Sequence, residues 1–362
     1  MFDYKNSYYY PFLTFLVYFQ QKMKQRIEDF DYEFDPELIA QYPSEKRDHS
    51  RLLVLDRMSG LIEHRRFFGI RDYLKPGDVL VLNNTKVVPC RLFGKKAKTG
   101  GSVELLLIKK LGNDIWEVMA KGRVNKGTRI IFTSSFSCEV MESSHERTVV
   151  RFYYKGDWVD HISRIGSVPI PPYIKREPIE EDREWYQTVY AKEDGSIAAP
   201  TAGLHFTEDI LYSLSSDGIM IVFITLHVGT GTFKPVKAEL IEDHKMGYEW
   251  FEVGKEAVDI IKKARCNNGR IVAAGTTAVR ALEKAAIDGE LKPAKGETDL
   301  FIYPGFKFNV VDSMITNFHL PKSTLLMLVM AFAGRENILN AYNEAVRLRY
   351  RFYSYGDAML II

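Results

Sequence analysis

The sequence predicts an α/β fold in which a wound mixed sheet carries helices on its faces and a small six-stranded β-barrel domain is inserted. After Ala198, apolar strand-like runs alternate with amphipathic helical segments, which is typical of a wound sheet. Between residues 79 and 155, short apolar runs are separated by turn residues, which indicates a barrel. We therefore expect an extension at 1–22, an α/β catalytic domain at 23–78 and 156–362, and the barrel at 79–155.

The elements before Ala198 follow from local signals. Asp35 is placed to cap a short helix with Pro36 at its first position. Runs at 52–55 and 63–68 predict a hairpin that turns at Gly60. The remaining predictions are a buried strand at 79–82, barrel strands at 103–108, 115–120, 128–132, 137–141 and 148–154, a helix at 158–165, an extended segment at 169–173 and a charged surface loop at 175–196.

After Ala198 the caps and periodicity define further elements. Thr207 is a candidate N-cap, with acidic residues in the first helical turn, and Gly218 ends that helix. Further helices are predicted at 256–266, from 275 onward, at 322–333 and at 337–350. The predicted strands are 219–226, 270–274, 300–303, 310–318 and 358–362.

Composition restricts the class of protein. The chain has 362 residues, enough for a large core, with 46% hydrophobic and 27% charged residues. A net charge of +2 gives no overall signal for nucleic acid, so an RNA-binding surface would need its cations gathered on one face. Three widely spaced cysteines offer neither a disulfide framework nor a zinc-type pair, and we interpret them as reduced thiols in a cytoplasmic protein: Cys90, Cys138 and Cys266.

The first residues differ from the rest. The apolar run at 7–19 is shorter than a membrane span and contains Pro11, and it lacks a clear signal-peptide pattern. We expect the natural start to be Met23. The alternative is that residues 1–22 form a short docking helix.

Five polar clusters follow predicted strands or lie in turns near them, and we expect them to line one crevice at the carboxyl ends of the sheet. They are 83–85, 201–205, 227–233, 275–277 and 317–319. The segment Gly275-Thr276-Thr277 opens a helix, where backbone N–H groups suit a carboxylate or phosphate and Arg280 could add a charge. Ordinary helix capping explains the same residues.

Two other signals are weaker. The segment 229–231 resembles the start of a dinucleotide-binding motif but lacks its third glycine. We therefore interpret it either as a tight loop near a ligand or as a plain turn. His205, His227 and His319 have no zinc-type spacing. We expect at least one of them to transfer a proton or to bind a ligand, although a buried histidine satisfied by the backbone is the alternative for each.

Long motifs at these positions resemble the S-adenosylmethionine:tRNA ribosyltransferase-isomerase family of the queuosine pathway. They are D-F-D-Y-E at 29–33, R-L-L-V-L-D at 51–56, V-L-N-N-T-K-V-V-P-C-R-L-F-G at 81–94, A-A-P-T-A-G-L-H-F at 198–206, T-L-H-V-G-T-G-T-F at 225–233, A-G-T-T-A-V-R-A-L-E at 274–283, F-I-Y-P-G-F at 301–306, T-N-F-H-L-P-K-S-T-L-L-M-L-V at 316–329 and Y-R-F-Y-S-Y-G-D-A-M at 350–359. Cys90 stands where the family usually has alanine, and residues before Met23 have no family counterpart.

The resemblance implies a reaction. Such enzymes move the ribosyl part of S-adenosylmethionine to the aminomethyl group of 7-aminomethyl-7-deazaguanine at the wobble position of tRNA with a GUN anticodon. The sugar is rearranged, which gives epoxyqueuosine and releases adenine and methionine. S-adenosylmethionine is consumed as a substrate, so no cofactor is expected, and neither a metal nor a membrane partner is expected. The family fold joins an α/β domain to an inserted barrel, and we expect a monomer.

The reaction needs a base near the sulfonium, an acid near adenine and an anion site for methionine. We assign His205 or His227 to the acid and base roles. The residues expected to bind a carboxylate or the ribose are Thr276, Thr277 and Arg280. Those expected to orient the base or the sugar are Asn84, Thr85, Arg91 and His319, and the further substrate-binding candidates are Thr201, Gly229, Thr230, Thr232 and Asn317.

Three alternatives belong to other classes. A tRNA methyltransferase would also use S-adenosylmethionine, but it should show a glycine-rich loop after its first strand, and this is missing. A metal-dependent hydrolase predicts stoichiometric zinc. A non-catalytic RNA-binding module would need a clearer basic stripe or exposed aromatic residues.

Overall fold

In the computed structural model, residues 24–144, 147–229, 231, 236 and 238–362 are described. The predicted extension at 1–22 lies outside them. Within these ranges, no helix combines the length and the apolar character needed to cross a membrane.

A nine-stranded mixed sheet forms the centre of the fold, in the order β15-β13-β12-β3-β14-β16-β17-β1-β2. Its strands are β1 (Arg51–Leu55), β2 (Ile62–Arg66), β3 (Val79–Asn83), β12 (Met220–Leu226), β13 (Glu249–Val253), β14 (Ile271–Ala274), β15 (Ala294–Thr298), β16 (Ser313–Asn317) and β17 (Ala358–Ile361). The neighbours β12, β3, β14 and β16 are parallel. Their carboxyl ends therefore lie at one edge of the sheet.

Helices cover both faces of this sheet. Alternate side chains of β3 enter different cores: Val79 and Val81 pack in one layer, Leu80 and Leu82 in the other. The helices are α1 (Trp158–Ile165), α2 (Asp182–Trp185), α3 (Glu208–Ser216), α4 (Lys255–Cys266), α5 (Thr276–Ala285), α6 (Thr324–Ala333) and α7 (Arg335–Arg347). Buried residues of α4 to α7 pack in the first layer, and those of α3 pack in the second.

A closed barrel of six antiparallel strands forms the inserted domain, in the order β10-β7-β6-β5-β8-β9. Its strands are β5 (Arg91–Lys96), β6 (Ser102–Gly112), β7 (Ile115–Lys121), β8 (Arg129–Thr133), β9 (Phe136–Ser143) and β10 (Thr148–Tyr154). The predicted fold class is therefore confirmed. The barrel strands begin at Arg91. The predicted boundary at 79 placed β3 in the barrel domain, but β3 is a central strand of the large sheet.

Three parts of the chain differ from their predicted structure. The segment 300–303 is not a strand: the Leu300 carbonyl accepts a hydrogen bond from the Arg280 side chain, outside any sheet pairing. The strands β13 and β15 pair at the sheet edge instead and were not predicted. The segment 175–196 was predicted as a surface loop, but it contains α2 and β11 (Glu193–Ser196), and β11 pairs with β4 (Thr85–Val87).

Candidate functional site

A cavity of about 330 Å³ lies at the carboxyl ends of β14 and β16. Twenty-two residues line it: Tyr173, Tyr186, Ala198, Ala199, Pro200, Thr201, Ala202, Val228, Gly275, Thr276, Thr277, Thr316, Asn317, Phe318, His319, Leu320, Pro321, Lys322, Ser323, Leu325, Tyr353 and Ser354. This volume is at the lower end of the range of roughly 300–1,000 Å³ that small-molecule sites occupy. The cavity is the candidate site, and it brings together parts of three of the five predicted clusters, together with Val228 of a fourth.

The amino end of α5 forms one wall. Gly275 turns the chain from β14 into the helix with a φ of +95°, a conformation that favours glycine. The N–H groups of the first helical turn have no acceptor within the helix. Asn83 donates to Thr277 Oγ1 at 3.2 Å, so the Thr277 hydroxyl proton remains available. This wall therefore offers donors to a negatively charged group.

Asn317 faces this wall with a fixed orientation. Its Nδ2 lies 3.1 Å from the Tyr353 carbonyl, to which it donates, and 3.2 Å from His205 Nε2. His205 Nδ1 lies 2.8 Å from Ser50 Oγ. Since both Nδ2 protons are used, Oδ1 is an acceptor, and it has no partner among the described residues.

Tyr353 supplies a second buried polar atom. Its hydroxyl has no partner in the described part of the chain, and the residue is only 7% exposed. Its backbone has a φ of +70°, which is costly for an aromatic residue. Strained backbone of this kind is concentrated at functional sites.

His319 is the histidine that lines the cavity. Its Nε2 lies 2.8 Å from Thr316 Oγ1, and that hydroxyl donates to the Asn317 carbonyl at 3.3 Å. Thr316 therefore accepts from Nε2–H, which leaves Nδ1 as the unprotonated nitrogen. Burial lowers the pKa of His319 to about 3, so the ring is neutral near pH 7.

Neither histidine assigned to acid or base chemistry lines the cavity. His205 is 4% exposed and lies behind Asn317, stacked on Phe67. Burial lowers its pKa to about 4. His227 stacks on Trp250, with Nδ1 2.8 Å from Thr85 Oγ1, and burial also lowers its pKa.

Arg280 does not line the cavity either. Its guanidinium is ion-paired with Glu249, and both side chains are about 95% buried. The second carboxylate oxygen of Glu249 accepts the Gly229 N–H at 2.8 Å. The pair therefore fixes the loop that follows β12, rather than presenting a cation to the cavity.

The other predicted residues divide into three groups. Thr201, Thr276, Thr277, Asn317 and His319 line the cavity. Asn84 accepts a hydrogen bond from Thr225 beside β12, Thr85 bonds to His227, and Arg91 pairs with Glu104 on the barrel, so these three lie outside it. Thr230 and Thr232 lie outside the described residues.

Sequence reasoning missed Tyr353 and gave Asn83 no individual role. Tyr353 belongs to a motif quoted above, but its positive φ leaves no sequence signal. Asn83 was visible within the polar cluster at the end of β3; in the structure it also accepts from the Leu226 N–H at 3.0 Å and so fastens β3 to β12. No group of three His, Cys, Asp or Glu residues that could hold a metal ion occurs in the described ranges, and the three predicted histidines contact different partners.

Comparisons with known proteins identify the family of this chain. The sequence model of the family described as "Queuosine biosynthesis protein" matches residues 27–361. A protein from Sulfurihydrogenibium sp. named S-adenosylmethionine:tRNA ribosyltransferase-isomerase is 52% identical over 93% of this chain and 100% of its own. A protein of the same name from Carboxydothermus hydrogenoformans is 53% identical with the same coverage.

A solved structure is also similar. The crystal structure of an S-adenosylmethionine tRNA ribosyltransferase from Thermotoga maritima matches with 39% identity and a TM-score of 0.52, over 92% of this chain and 100% of its own. The curated relatives and the structural relative therefore share the transferase name. The chain belongs to the queuosine biosynthesis protein family and is an enzyme of the S-adenosylmethionine:tRNA ribosyltransferase-isomerase class.

Proposed function

We propose that this enzyme transfers the ribosyl group of S-adenosylmethionine to the aminomethyl nitrogen of 7-aminomethyl-7-deazaguanine, at the wobble position of tRNA with a GUN anticodon. The product is epoxyqueuosine-tRNA, and adenine and methionine leave. S-adenosylmethionine is a substrate in this scheme and no cofactor takes part. We expect a monomer that acts in the cytoplasm, where its tRNA is found.

One observation carries the proposal: a helix amino end and two residues with unpartnered, buried polar atoms line the same cavity. The donors at Thr276 and Thr277 suit the carboxylate of the methionine part. Asn317 Oδ1 can only accept, so it suits the ammonium group or the amino group of adenine. A zwitterionic amino acid linked to a nucleoside satisfies both demands.

The surrounding side chains suit a reaction that must exclude water. Leu320, Pro321 and Leu325 form an apolar part of the cavity wall. A sulfonium and a leaving adenine interact more strongly with fixed dipoles in such a site than in water. These features favour a catalytic role for the cavity over simple binding of the ligand.

The proton transfers need separate groups. The sulfonium acidifies the neighbouring C5′–H, so a base is required there, whereas adenine leaves more easily when a proton is supplied. We assign substrate contact to His319, whose unprotonated Nδ1 can accept a hydrogen bond. His205 acts through Asn317 as a positioning residue. His227 remains a candidate acid or base, since its Nε2 has no partner among the described residues.

Mass spectrometry of the products tests the proposal. The purified enzyme is incubated with S-adenosylmethionine and tRNA that carries 7-aminomethyl-7-deazaguanine. We expect adenine and methionine in equal amounts, and a modified nucleoside heavier by the rearranged sugar. A tRNA with guanine at the wobble position should give none of these products. Addition of a methyl group to the tRNA would instead identify a methyltransferase.

A further inference from the structure

The outer surface of four barrel strands carries cations around an exposed aromatic ring. The strands β7, β6, β5 and β8 are neighbours, and cross-strand pairing aligns Phe93 with Glu104 and Glu104 with Lys121. Lys95 pairs with Ile131 on the adjacent strand. We define the barrel face as Arg91, Phe93, Lys95, Glu104, Met119, Lys121 and Ile131.

The apolar members of the barrel face are open to solvent. Phe93 is 47% exposed, Met119 50% and Ile131 43%. Phe93, Lys95, Lys121 and Ile131 line an open groove on the barrel surface. Single exposed apolar residues are ordinary, but neighbouring ones around a groove mark an interaction site.

Charge is concentrated in the same domain. Residues 91–154 contain 12 Lys and Arg against 6 Asp and Glu, whereas the rest of the chain contains 37 against 41. Lys95 forms no ion pair within the described ranges, and Lys121 Nζ is 4.0 Å from the nearest carboxylate, that of Glu104. The small net charge of the whole chain therefore conceals a basic barrel.

We propose that the barrel face binds an unpaired stretch of the substrate RNA, with phosphates on Lys95 and Lys121 and a base stacked on Phe93. Lysines neutralise phosphates without reading sequence, and aromatic rings stack on any base. The Arg91 guanidinium lies over the Phe93 ring, 5.1 Å from its centroid, so it can support the stack through a cation–π contact. The proposal rests on the proposed function only in taking tRNA as the ligand.

Equilibrium binding of a transcribed tRNA to the full-length enzyme tests the two contacts separately. We expect Phe93→Ala to weaken binding roughly 5- to 150-fold, as for the loss of one base stack, with the salt dependence unchanged. We expect the double variant Lys95→Gln and Lys121→Gln to weaken binding at about 50 mM salt and to reduce the slope against log salt by about 1.5.

Matched controls lie outside the barrel. Tyr212 is 77% exposed on α3, and Lys263 is exposed on α4. Tyr212→Ala and Lys263→Gln should bind tRNA as the unmodified enzyme does. Wild-type binding by both barrel variants, or equal losses in the controls, would overturn the proposal.

The binding assay needs no turnover, so it separates the two proposals. If the tRNA gains no sugar but the barrel variants still lose RNA binding, the proposed reaction fails and the barrel proposal stands. If the reaction proceeds and the barrel variants keep full tRNA affinity, the barrel proposal fails alone. Stabilisation of each barrel variant by S-adenosylmethionine should equal that of the wild type, which excludes damage to the cavity.

Discussion

Around the cavity at the edge of the large sheet, polar side chains are buried and only a few of their atoms lack a partner among the described residues, whereas on the barrel face they are more exposed and mostly cationic. Arg280 and Arg91 illustrate this difference. Arg280 and Glu249 are 5–6% exposed and brace a loop, while Arg91 and Glu104 are 16–20% exposed on the barrel face. Buried neutral groups suit chemistry on a small ligand, and exposed cations suit capture of a large polyanion.

The largest expected effect is on stability. Arg280→Met removes the cation that pairs with the buried Glu249 carboxylate, and we expect this to lower the free energy of unfolding by about 3–5 kcal/mol. Arg91→Met should cost about 1 kcal/mol or less, because water reaches that pair. Urea denaturation measures both. The double variant Arg280→Met with Glu249→Leu should recover part of the loss, and equal losses for the two arginines would contradict the comparison.

The next effect is on catalysis. Asn317→Leu preserves much of the volume but removes the acceptor, and we expect kcat/KM to fall about 100-fold, as for the loss of a hydrogen bond to a charged group. Steady-state adenine release measures this. Asn337→Leu is the matched control, because Asn337 donates to two backbone carbonyls away from the cavity. A similar loss in both variants would indicate general destabilisation instead.

A fall in pH should destabilise the region around the cavity more than the barrel. The pKa of His205 is lowered to about 4 by burial, below the value near 6.5 of an unfolded histidine. The unfolded chain therefore binds more protons between these values, and stability falls as the pH falls from 7 toward 4. At pH 5 this one residue lowers the free energy of unfolding by about 2 kcal/mol.

Thermal unfolding between pH 5 and 7 checks this effect. His205→Gln should flatten the dependence of Tm on pH. His161→Gln is the control, because His161 is partly exposed in α1 beside the barrel and bonds to the Lys155 carbonyl. A pH dependence unchanged by His205→Gln would show that this histidine is not buried neutral.

The sequence predicted both the sheet with its crevice and the barrel, because each depends on the spacing of apolar, polar and turn residues along the chain. Apolar runs predicted β3 and β14, and the polar residues after them predicted a crevice at their carboxyl ends. The barrel followed from turn spacing. These features are local, so a linear sequence contains them.

What the sequence could not supply was the partner of each polar group. Arg280 and His205 look like ligand-binding residues because their types suit that role. In the structure Arg280 pairs with Glu249, 31 residues away, and His205 bonds to Ser50, 155 residues away, so neither lines the cavity. Conversely, Tyr353 looks like an ordinary aromatic until its backbone conformation is known. Hydrogen bonds and ion pairs between residues distant in sequence decide which polar side chains remain available to a ligand.

The smallest expected effect separates the two regions most sharply. Arg91→Lys keeps the charge but loses the bidentate pair with Glu104 and the planar contact with Phe93. We expect the KM for tRNA to rise about 2- to 5-fold, the range for a cation–π contact at an exposed site. The KM for S-adenosylmethionine should not change.

Arg57→Lys provides the matched control for this substitution. Arg57 lies 4.3 Å from the Phe332 ring centroid, a comparable contact outside the barrel. Loss of that contact should leave both KM values unchanged. If Arg91→Lys raised the KM for S-adenosylmethionine instead, Arg91 would belong to the small-molecule site, and the division between a neutral cavity and a cationic docking face would be wrong. A selective rise in the KM for tRNA means that the barrel contributes to RNA capture without touching the reacting sugar.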